Sequence, residues 1–392
     1  MKTIVEKVAV SFSYPVVFTR SVFDPDNRTL LDTLTKKYAT SQKSRALVVV
    51  DAGLAKATKG LLQQIEVYFG THAKRLSLVH PPVTVTGGEA TKTGFDELRK
   101  VIDLVQETHL DRHGFVVVVG GGAVQDMAGF AASIAHRGLR IVRIPTTVLS
   151  QDDAGVGVKN GMDYEGCKNF LGTFAPPFAV INDSEFLKTL NDEAWISGVA
   201  EAFKVAIIKD KAFFIGLCKH AAAIRKRDLA VMEQVVYRTA ELHLKHIMTS
   251  GDPFETGSAR PLDFGHWAAH RMESMSGYRL THGFAVSVGI CLDSTYAFLK
   301  GLISDEERQA ILKGMAECGL PVWSPLLERK DKDGKLVILA GLDQFREHLG
   351  GDLCVTLPAP VGARLELHSM DHAVIEEAIA MLKPKSGKRK SK

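Results

Sequence analysis

One stretch limits the fold of this chain more than any other. Gly114-Phe115-Val116-Val117-Val118-Val119-Gly120 is an uninterrupted apolar run of strand length, and Gly120-Gly121-Gly122 leads from it into a helical pattern over Met127 to Ala135. A strand that is apolar on both faces belongs inside a parallel sheet covered by helices. The glycines let backbone approach a pyrophosphate closely, and the helix start offers aligned N–H donors. The turn is not the Gly-x-Gly-x-x-Gly fingerprint. A tight strand-to-helix turn without a ligand remains open at this point.

The surrounding sequence repeats the alternation. Arg45 to Asp51 and Leu139 to Pro145 read as strands, Arg75 to Val79 as a weaker one, and Phe95 to Leu110 carries helical periodicity. Such β/α alternation predicts a Rossmann-like parallel sheet with helices on both faces over residues 1–185. Beyond about residue 186 helical patterns dominate: Trp195 to Lys209, Lys211 to Lys226, Ala230 to Ser250, Gly265 to Ser276, Phe284 to Leu299 and Asp305 to Cys318. Leu353 to Leu357 is a strand-like exception. The expected architecture is therefore α/β plus α, with a mostly helical second domain over 186–382 and a disordered basic tail over 383–392.

Composition excludes several classes. Six of the 49 basic residues lie in Lys383 to Lys392, which leaves 43 basic against 45 acidic residues elsewhere. A near-neutral body without a basic stripe argues against nucleic acid. The five cysteines are isolated, with no Cys-x-x-Cys pair, which favours a reducing compartment. No signal-peptide core or membrane-length apolar run is present, so a cytoplasmic protein is expected.

Three residues form the best metal-ligand set. Glu201 lies in Gly198-Val199-Ala200-Glu201-Ala202-Phe203-Lys204, His266 in Asp263-Phe264-Gly265-His266-Trp267-Ala268-Ala269-His270, and His282 in Thr281-His282-Gly283. One carboxylate and two imidazoles leave a zinc ion an open fourth position, the mark of a catalytic site. Simpler readings stand beside this one. His266 and His270, four apart on a helix, could be two ligands of a structural metal; Glu201 with Lys204 could be an ordinary helix pair, as could Glu241 with Lys245. Asp263 could cap a helix beginning near Gly265, and His348 could be a surface histidine. Lys159, Lys168 and Asn169, in a glycine-rich stretch read as a loop, could hold a phosphate or face water.

Taken in order, these segments resemble the dehydroquinate synthase-like sugar phosphate cyclases from Asp51 to about Leu357. The resemblance rests on Gly120-Gly121-Gly122 with Asp126 and Ala128-Gly129-Phe130, then His136-Arg137-Gly138, Pro145-Thr146-Thr147, Lys159 and Gly166-x-Lys168-Asn169. It continues through Leu187-x-Thr189-Leu190, Ala200-Glu201-x-x-Lys204, Gly265-His266-x-x-x-His270 and His282-Gly283. It implies NAD held by Asp51, Glu89, Lys92, Gly121, Gly122, Asp126, Thr146, Thr147, Lys168 and Thr189. It implies zinc held by Glu201, His266 and His282. Lys204, His270, Asp153 and Lys245 would be catalytic; Lys159, Asn169, Arg260, Asp263 and His348 would contact substrate. Arg137 would reach a phosphate across a homodimer interface.

Departures from the dehydroquinate branch concern the substrate. Ala259 stands where that branch has a carboxylate-binding arginine, with Arg260 one place later. Asp263 and Phe345-Arg346-Glu347-His348-Leu349-Gly350-Gly351 resemble the seven-carbon cyclitol branch typified by 2-epi-5-epi-valiolone synthase, acting on sedoheptulose 7-phosphate. Leu280 to Leu302 is also similar to an ebo-type dehydroquinate synthase-like group. Phe284 follows His282-Gly283 where the family often has glutamate, and Gln125 replaces a common glycine of the cofactor turn. The alternatives are a 3-dehydroquinate synthase acting on 3-deoxy-D-arabino-heptulosonate 7-phosphate, a metal-dependent polyol dehydrogenase of the glycerol type, and a catalytically dead homologue serving in binding or assembly.

Overall fold

The computed structural model describes residues 2–36, 42–165, 167–249, 254 and 261–384. Most of the basic tail therefore lies outside the described residues. The chain divides into two compact units: the residues up to Thr146 with Gly157–Glu185, and Thr147–Val156 with the residues from Phe186 onward.

The first unit is built on seven parallel strands: β1 (Val16–Thr19), β2 (Ser44–Asp51), β3 (Leu76–Leu78), β4 (Val83–Val85), β5 (Phe115–Gly120), β6 (Arg140–Pro145) and β9 (Ala179–Asp183). Their order is β1-β9-β6-β5-β2, after which β2 pairs with both β3 and β4. Phe115–Val119 and Ala46–Val50 are fully buried, as expected of central strands covered on both faces. Helices Asp96–Glu107 and Gly122–Ile134 pack on the same apolar cluster through Leu98, Val101, Val124, Met127 and Ala131.

The stretch read as a glycine-rich loop is instead an antiparallel hairpin, β7 (Lys159–Tyr164) with β8 (Cys167–Phe174). Gly161 faces Gly172 in its register, and a Cβ on Gly172 would lie 2.8 Å from the Asn160 carbonyl oxygen. Glycine here serves close backbone approach, which hides the strand from propensity. The buried Arg143 guanidinium fixes the start of the hairpin, donating to the carbonyls of Gly157 and Lys159, both at 2.9 Å, and to Asn160 Oδ1 at 2.7 Å.

The second unit is mostly helical, with Asp192–Ser197, Val199–Lys209, Lys211–Arg225, Leu229–Thr249, His266–Met275, His282–Leu299, Asp305–Cys318, Ala340–His348 and His372–Leu382. A small hairpin, β10 (Val355–Pro358) with β11 (Arg364–Leu367), completes it. The predicted helix Trp195 to Lys209 is broken at Gly198. A Cβ there would lie 2.4 Å from the Leu149 backbone nitrogen, so glycine admits the 147–156 segment against the helix start. Val199–Lys209 is apolar nearly all round and buried over Val199–Ile208, the pattern of a central helix. Among the described residues no helix is long and apolar enough to cross a membrane.

One close approach offers a test of the first unit. A Cβ on Gly129 would sit 1.9 Å from Asn160 Oδ1, the acceptor that Arg143 uses. Gly129→Ala is expected to cost about 1–3 kcal/mol through overpacking, read as a lower denaturation midpoint. An unchanged midpoint would show that this contact relaxes freely.

Candidate functional site

In the second unit three helices bring one ligand atom each to a common point. Glu201 lies in the first turn of Val199–Lys209, His266 opens His266–Met275, and His282 opens His282–Leu299. Glu201 Oε1 stands 3.6 Å from His282 Nε2 and 3.9 Å from His266 Nε2. The three ligand atoms lie within 4.8 Å of one another. Those gaps are too long for hydrogen bonds and close to the edge of about 3.4 Å expected for a tetrahedron with bonds near 2.1 Å. Glu201 is fully buried; its Oε2 pairs with Lys204, and its Oε1 is the oxygen that faces the two imidazoles without a hydrogen bond. A buried carboxylate aimed at two imidazoles fits a divalent cation.

Glycines permit this convergence. A Cβ on Gly283 would lie 2.0 Å from the Ser197 carbonyl oxygen, so only glycine lets the helix that His282 opens approach the end of Asp192–Ser197, just before the Glu201 helix. A Cβ on Gly289 would lie 2.0 Å from the Gly265 carbonyl oxygen, and Gly265 has φ of +80°. Buried Asp293 then clasps both neighbours of His266, accepting from Gly265 N–H at 3.0 Å and Trp267 Nε1–H at 2.8 Å. Gly265, with positive φ, is the N-cap residue of this helix, and Asp263 lies two residues before it. Asp263 lies half-buried in the short turn Pro261–Asp263.

The charges around Glu201 form a compact network. Lys204 ion-pairs with Glu201 and approaches Asp153 Oδ1 at 3.5 Å, with its side chain only 3% exposed. The Glu201–Lys204 pair is therefore a buried unit rather than a solvated helix pair. Burial lowers the Lys204 ammonium pKa, but Asp153 and Glu201 outweigh it and raise the value overall. Burial likewise raises Glu201, and Lys204 reverses the effect to about 2. His243, which sequence reasoning missed, pairs through Nδ1 with Asp153 Oδ1 at 2.8 Å. Neighbouring Asp152 is buried with neither oxygen partnered, and burial followed by Asp153 and Glu201 pushes its carboxyl well up.

The His282 ring is held by a second missed residue. Its Nδ1 lies 3.2 Å from Oε2 of Glu273, itself only 3% exposed. Glu273 thus occupies the role that Phe284 cannot, holding the far nitrogen of the ring so that Nε2 faces Glu201. Burial alone would lower His282, yet Glu201 and Glu273 raise it to about 9. His270 completes a triangle of rings, edge-on to His266 at 5.4 Å and stacked on His282 at 6.0 Å, and it is exposed. Glu273 lay four residues beyond Ala269 in an unremarkable helix, so only its i,i+3 spacing from His270 could have marked it.

The remaining second-unit residues make the following contacts. Lys245 has no ion-pair partner among the described residues and lines a groove with Lys209 and Arg364. Its presumed helix partner Glu241 pairs with Arg238 instead. The Thr147 hydroxyl bonds Ser150 Oγ at 2.8 Å, and the Thr189 hydroxyl donates to the Phe186 carbonyl at 2.7 Å. Arg260 and the His348 side chain lie outside the described residues.

In the first unit the expected nucleotide-side residues gather around the glycine turn. Asp51 caps helix Ala52–Ala57, accepting from Gly53 N–H at 2.7 Å and Leu54 N–H at 3.1 Å. A Cβ on Gly87 would collide with its carboxylate at 2.4 Å. Gly121 caps helix Gly122–Ile134 in extended conformation with no side-chain bond, leaving the first N–H donors for a ligand. Gln125 braces the turn, donating to the carbonyls of Val118 at 3.0 Å and Gly120 at 3.2 Å. Lys92, buried, donates to Asp126 Oδ2 at 2.9 Å and to Asn169 Oδ1. Lys168 approaches Glu89 at 3.6 Å. Thr146 N–H closes the turn onto the Gly120 carbonyl at 3.1 Å. A cradle of free helix N–H groups beside paired lysines fits a dinucleotide phosphate. Lys159 is exposed at the head of β7, whereas Arg137 lies away from that cradle in a groove with Arg112, His113 and Arg140.

The network generates a pH prediction. Metal entry must displace the proton that Glu201 and Glu273 keep on His282, so apparent zinc affinity should rise with pH and level off near about 9. Glu273→Gln should weaken binding about 10- to 100-fold and move the plateau to lower pH. Chelator competition across neutral and alkaline pH measures both, and identical curves for the two proteins would remove Glu273 from this role.

The sequence matches a family model described as 3-dehydroquinate synthase N-terminal over residues 82–197 and one described as 3-dehydroquinate synthase C-terminal over residues 198–336. A 2-epi-5-epi-valiolone synthase of Actinomyces sp is 30% identical over 386 residues, spanning 96% of this chain and 97% of that protein. A 3-dehydroquinate synthase of Saccharolobus solfataricus is 33% identical over 285 residues, spanning 72% of this chain and 78% of that protein. Among solved structures, the 2-epi-5-epi-valiolone synthase ValA of Streptomyces hygroscopicus subsp. jinggangensis 5008, with NAD+ and Zn2+ bound, aligns with a TM-score of 0.84 at 28% identity. That alignment covers 97% of this chain and 99% of ValA.

Proposed function

The chain belongs to the 3-dehydroquinate synthase family, and from that premise we propose that it is an NAD- and zinc-dependent sugar phosphate cyclase. The reaction class is a phosphate-eliminating lyase that closes a carbocycle. Its preferred substrate in this reading is sedoheptulose 7-phosphate, giving 2-epi-5-epi-valiolone or a stereoisomer. The observation that carries the substrate choice is coverage: the valiolone synthase of Actinomyces sp matches across 97% of its length, the dehydroquinate synthase of Saccharolobus solfataricus across 78%. ValA, with NAD+ and Zn2+ bound, supports the cofactor pair.

Glu201, His266 and His282 would hold zinc, and the glycine turn with Asp51, Lys92, Asp126 and Lys168 would hold NAD. When bound, zinc supplies Lewis acidity toward a substrate hydroxyl and NAD supplies a reversible hydride acceptor. The protein's own groups do the rest. Lys204 stays protonated between Glu201 and Asp153, a fixed positive charge for an oxyanion that develops beside them. Asp153, kept ionised by Lys204 and His243 despite burial, accepts a hydrogen bond from a substrate hydroxyl and orients it. His270, beside the other two imidazoles, is drawn down to about 3 by desolvation and then by His266 and His282, so in this reading it stays neutral and serves as a proton acceptor. Asp263 contacts hydroxyls of a neutral sugar, while Lys159, Asn169 and Arg137 serve the phosphate. The working unit in this reading is a cytoplasmic homodimer in which Arg137 completes the neighbouring subunit's site.

Purified protein supplied with NAD and zinc is expected to release inorganic phosphate from sedoheptulose 7-phosphate without stoichiometric NADH, with a cyclitol identified by NMR. Turnover of 3-deoxy-D-arabino-heptulosonate 7-phosphate alone would replace this substrate with the dehydroquinate one. Steady NADH accumulation would instead mark a dehydrogenase. Separately, His282→Ala should lose zinc and turnover while keeping its circular dichroism spectrum; full zinc occupancy in that variant would refute the ligand set.

A further inference from the structure

A second concentration of charge lies in the second unit, apart from the three metal-ligand residues. The C-terminus of Val199–Lys209, the last turns of Leu229–Thr249 and the turn and second strand of the β10–β11 hairpin enclose a groove of 790 Å³. That volume falls within the roughly 300–1,000 Å³ typical of small-molecule sites. Lys209, Lys245 and Arg364 each enter it from a different one of these elements, with Glu366 and His368 on the same wall.

The charges do not balance. Arg364 approaches Glu366 at 3.8 Å. Among the described residues neither Lys209 nor Lys245 has a side-chain hydrogen bond or ion pair. Two of the three cationic charges therefore lack a paired counter-charge among the described residues. The repulsion is felt: burial first, then Arg364 and Lys245, bring Lys209 down to about 8. His246, on the same helix as Lys245, is brought down to about 4 by burial, with Lys209, His243, Arg364 and Lys204 adding to the effect. A helix C-terminus favours one cation, which accounts for Lys209 but not for Lys245 and Arg364 beside it. The hairpin is fastened where this happens, since Gly362 N–H donates to the Ile207 carbonyl at 2.6 Å and Gly362 has φ of +94°. A Cβ at Gly362 would also lie 2.8 Å from Lys211 Cβ. The convergence is thus built into the backbone.

We infer that this groove binds a phosphate monoester or inorganic phosphate, held by Lys209, Lys245 and Arg364. A phosphate dianion matches the two uncompensated charges, and guanidinium and ammonium donors are suited to its oxygens. Binding at this groove requires no turnover, so the inference stands or falls separately from the cyclase reading.

The test uses the full-length protein with inorganic phosphate as probe and the Lys209 ammonium followed by NMR. Phosphate should raise the Lys209 titration midpoint, and Lys209→Gln or Arg364→Gln should weaken phosphate binding at least about tenfold by calorimetry, the loss of one charge-assisted contact. Arg364→Lys should restore part of it. Zinc content should stay at the parental level in every variant. The source is then resolved with sedoheptulose 7-phosphate: a raised KM at constant kcat in Arg364→Gln identifies the groove with the substrate's phosphate, whereas an unchanged KM with lost phosphate binding assigns it to a free phosphate ligand. Parental phosphate affinity in both glutamine variants, or a Lys209 midpoint indifferent to phosphate, would overturn the inference.

Discussion

Lys204 is the residue on which the second unit's chemistry depends. Asp152, Asp153 and Glu201 bring three carboxyl groups into a region from which water is largely excluded. Left together they would have to take up protons, because buried like charges cannot all ionise. A single ammonium, 3% exposed and placed between Glu201 and Asp153, keeps those two ionised, and Asp152 carries the unfavourable remainder. Removing Lys204 would leave uncompensated buried charge, which costs far more than losing a surface pair.

The rest of the site is arranged around Glu201 by close backbone contacts rather than by large side chains. Gly283 against Ser197, and Gly289 against Gly265, set how near the two histidine-bearing helices come to the glutamate and to each other. Asp293 then fixes the rotation of the first of them by holding both neighbours of His266. Burial pushes the Asp293 carboxyl up to about 7, partly offset by Trp267 and Gly265, so the clasp is made of groups that would be costly to leave unpaired. Glu273 does the same for the ring of His282. Each ligand therefore has its own positioning contact.

The first unit follows a different logic, in which polar side chains stand in for backbone geometry. Gln125 occupies a place where the resemblance calls for glycine, yet its amide ties the end of β5 to the start of the following helix. The departure strengthens the turn instead of disabling it. Arg143 likewise turns a buried charge into three hydrogen bonds that anchor β7.

By itself the sequence determined the parallel sheet, because Phe115–Val119 is apolar on both faces, and it determined the helical character of the second half through periodicity. It also singled out Glu201, His266 and His282, since ligand chemistry is legible from residue type, and the order of motifs pointed to the family. The hairpin at Lys159–Phe174 was not legible, because its glycines and asparagines carry no alternation while serving close backbone approach. Glu273, His243 and Asp293 were not legible either: their partners lie 9, 90 and 26 to 28 residues away along the chain. Only the packing of helices decides such pairings. The same holds for Lys245, which local spacing paired with Glu241 and which the fold places beside Lys209 and Arg364. Residue identity fixes which chemistry is available, whereas burial and helix crossing fix which groups meet and what charge they carry.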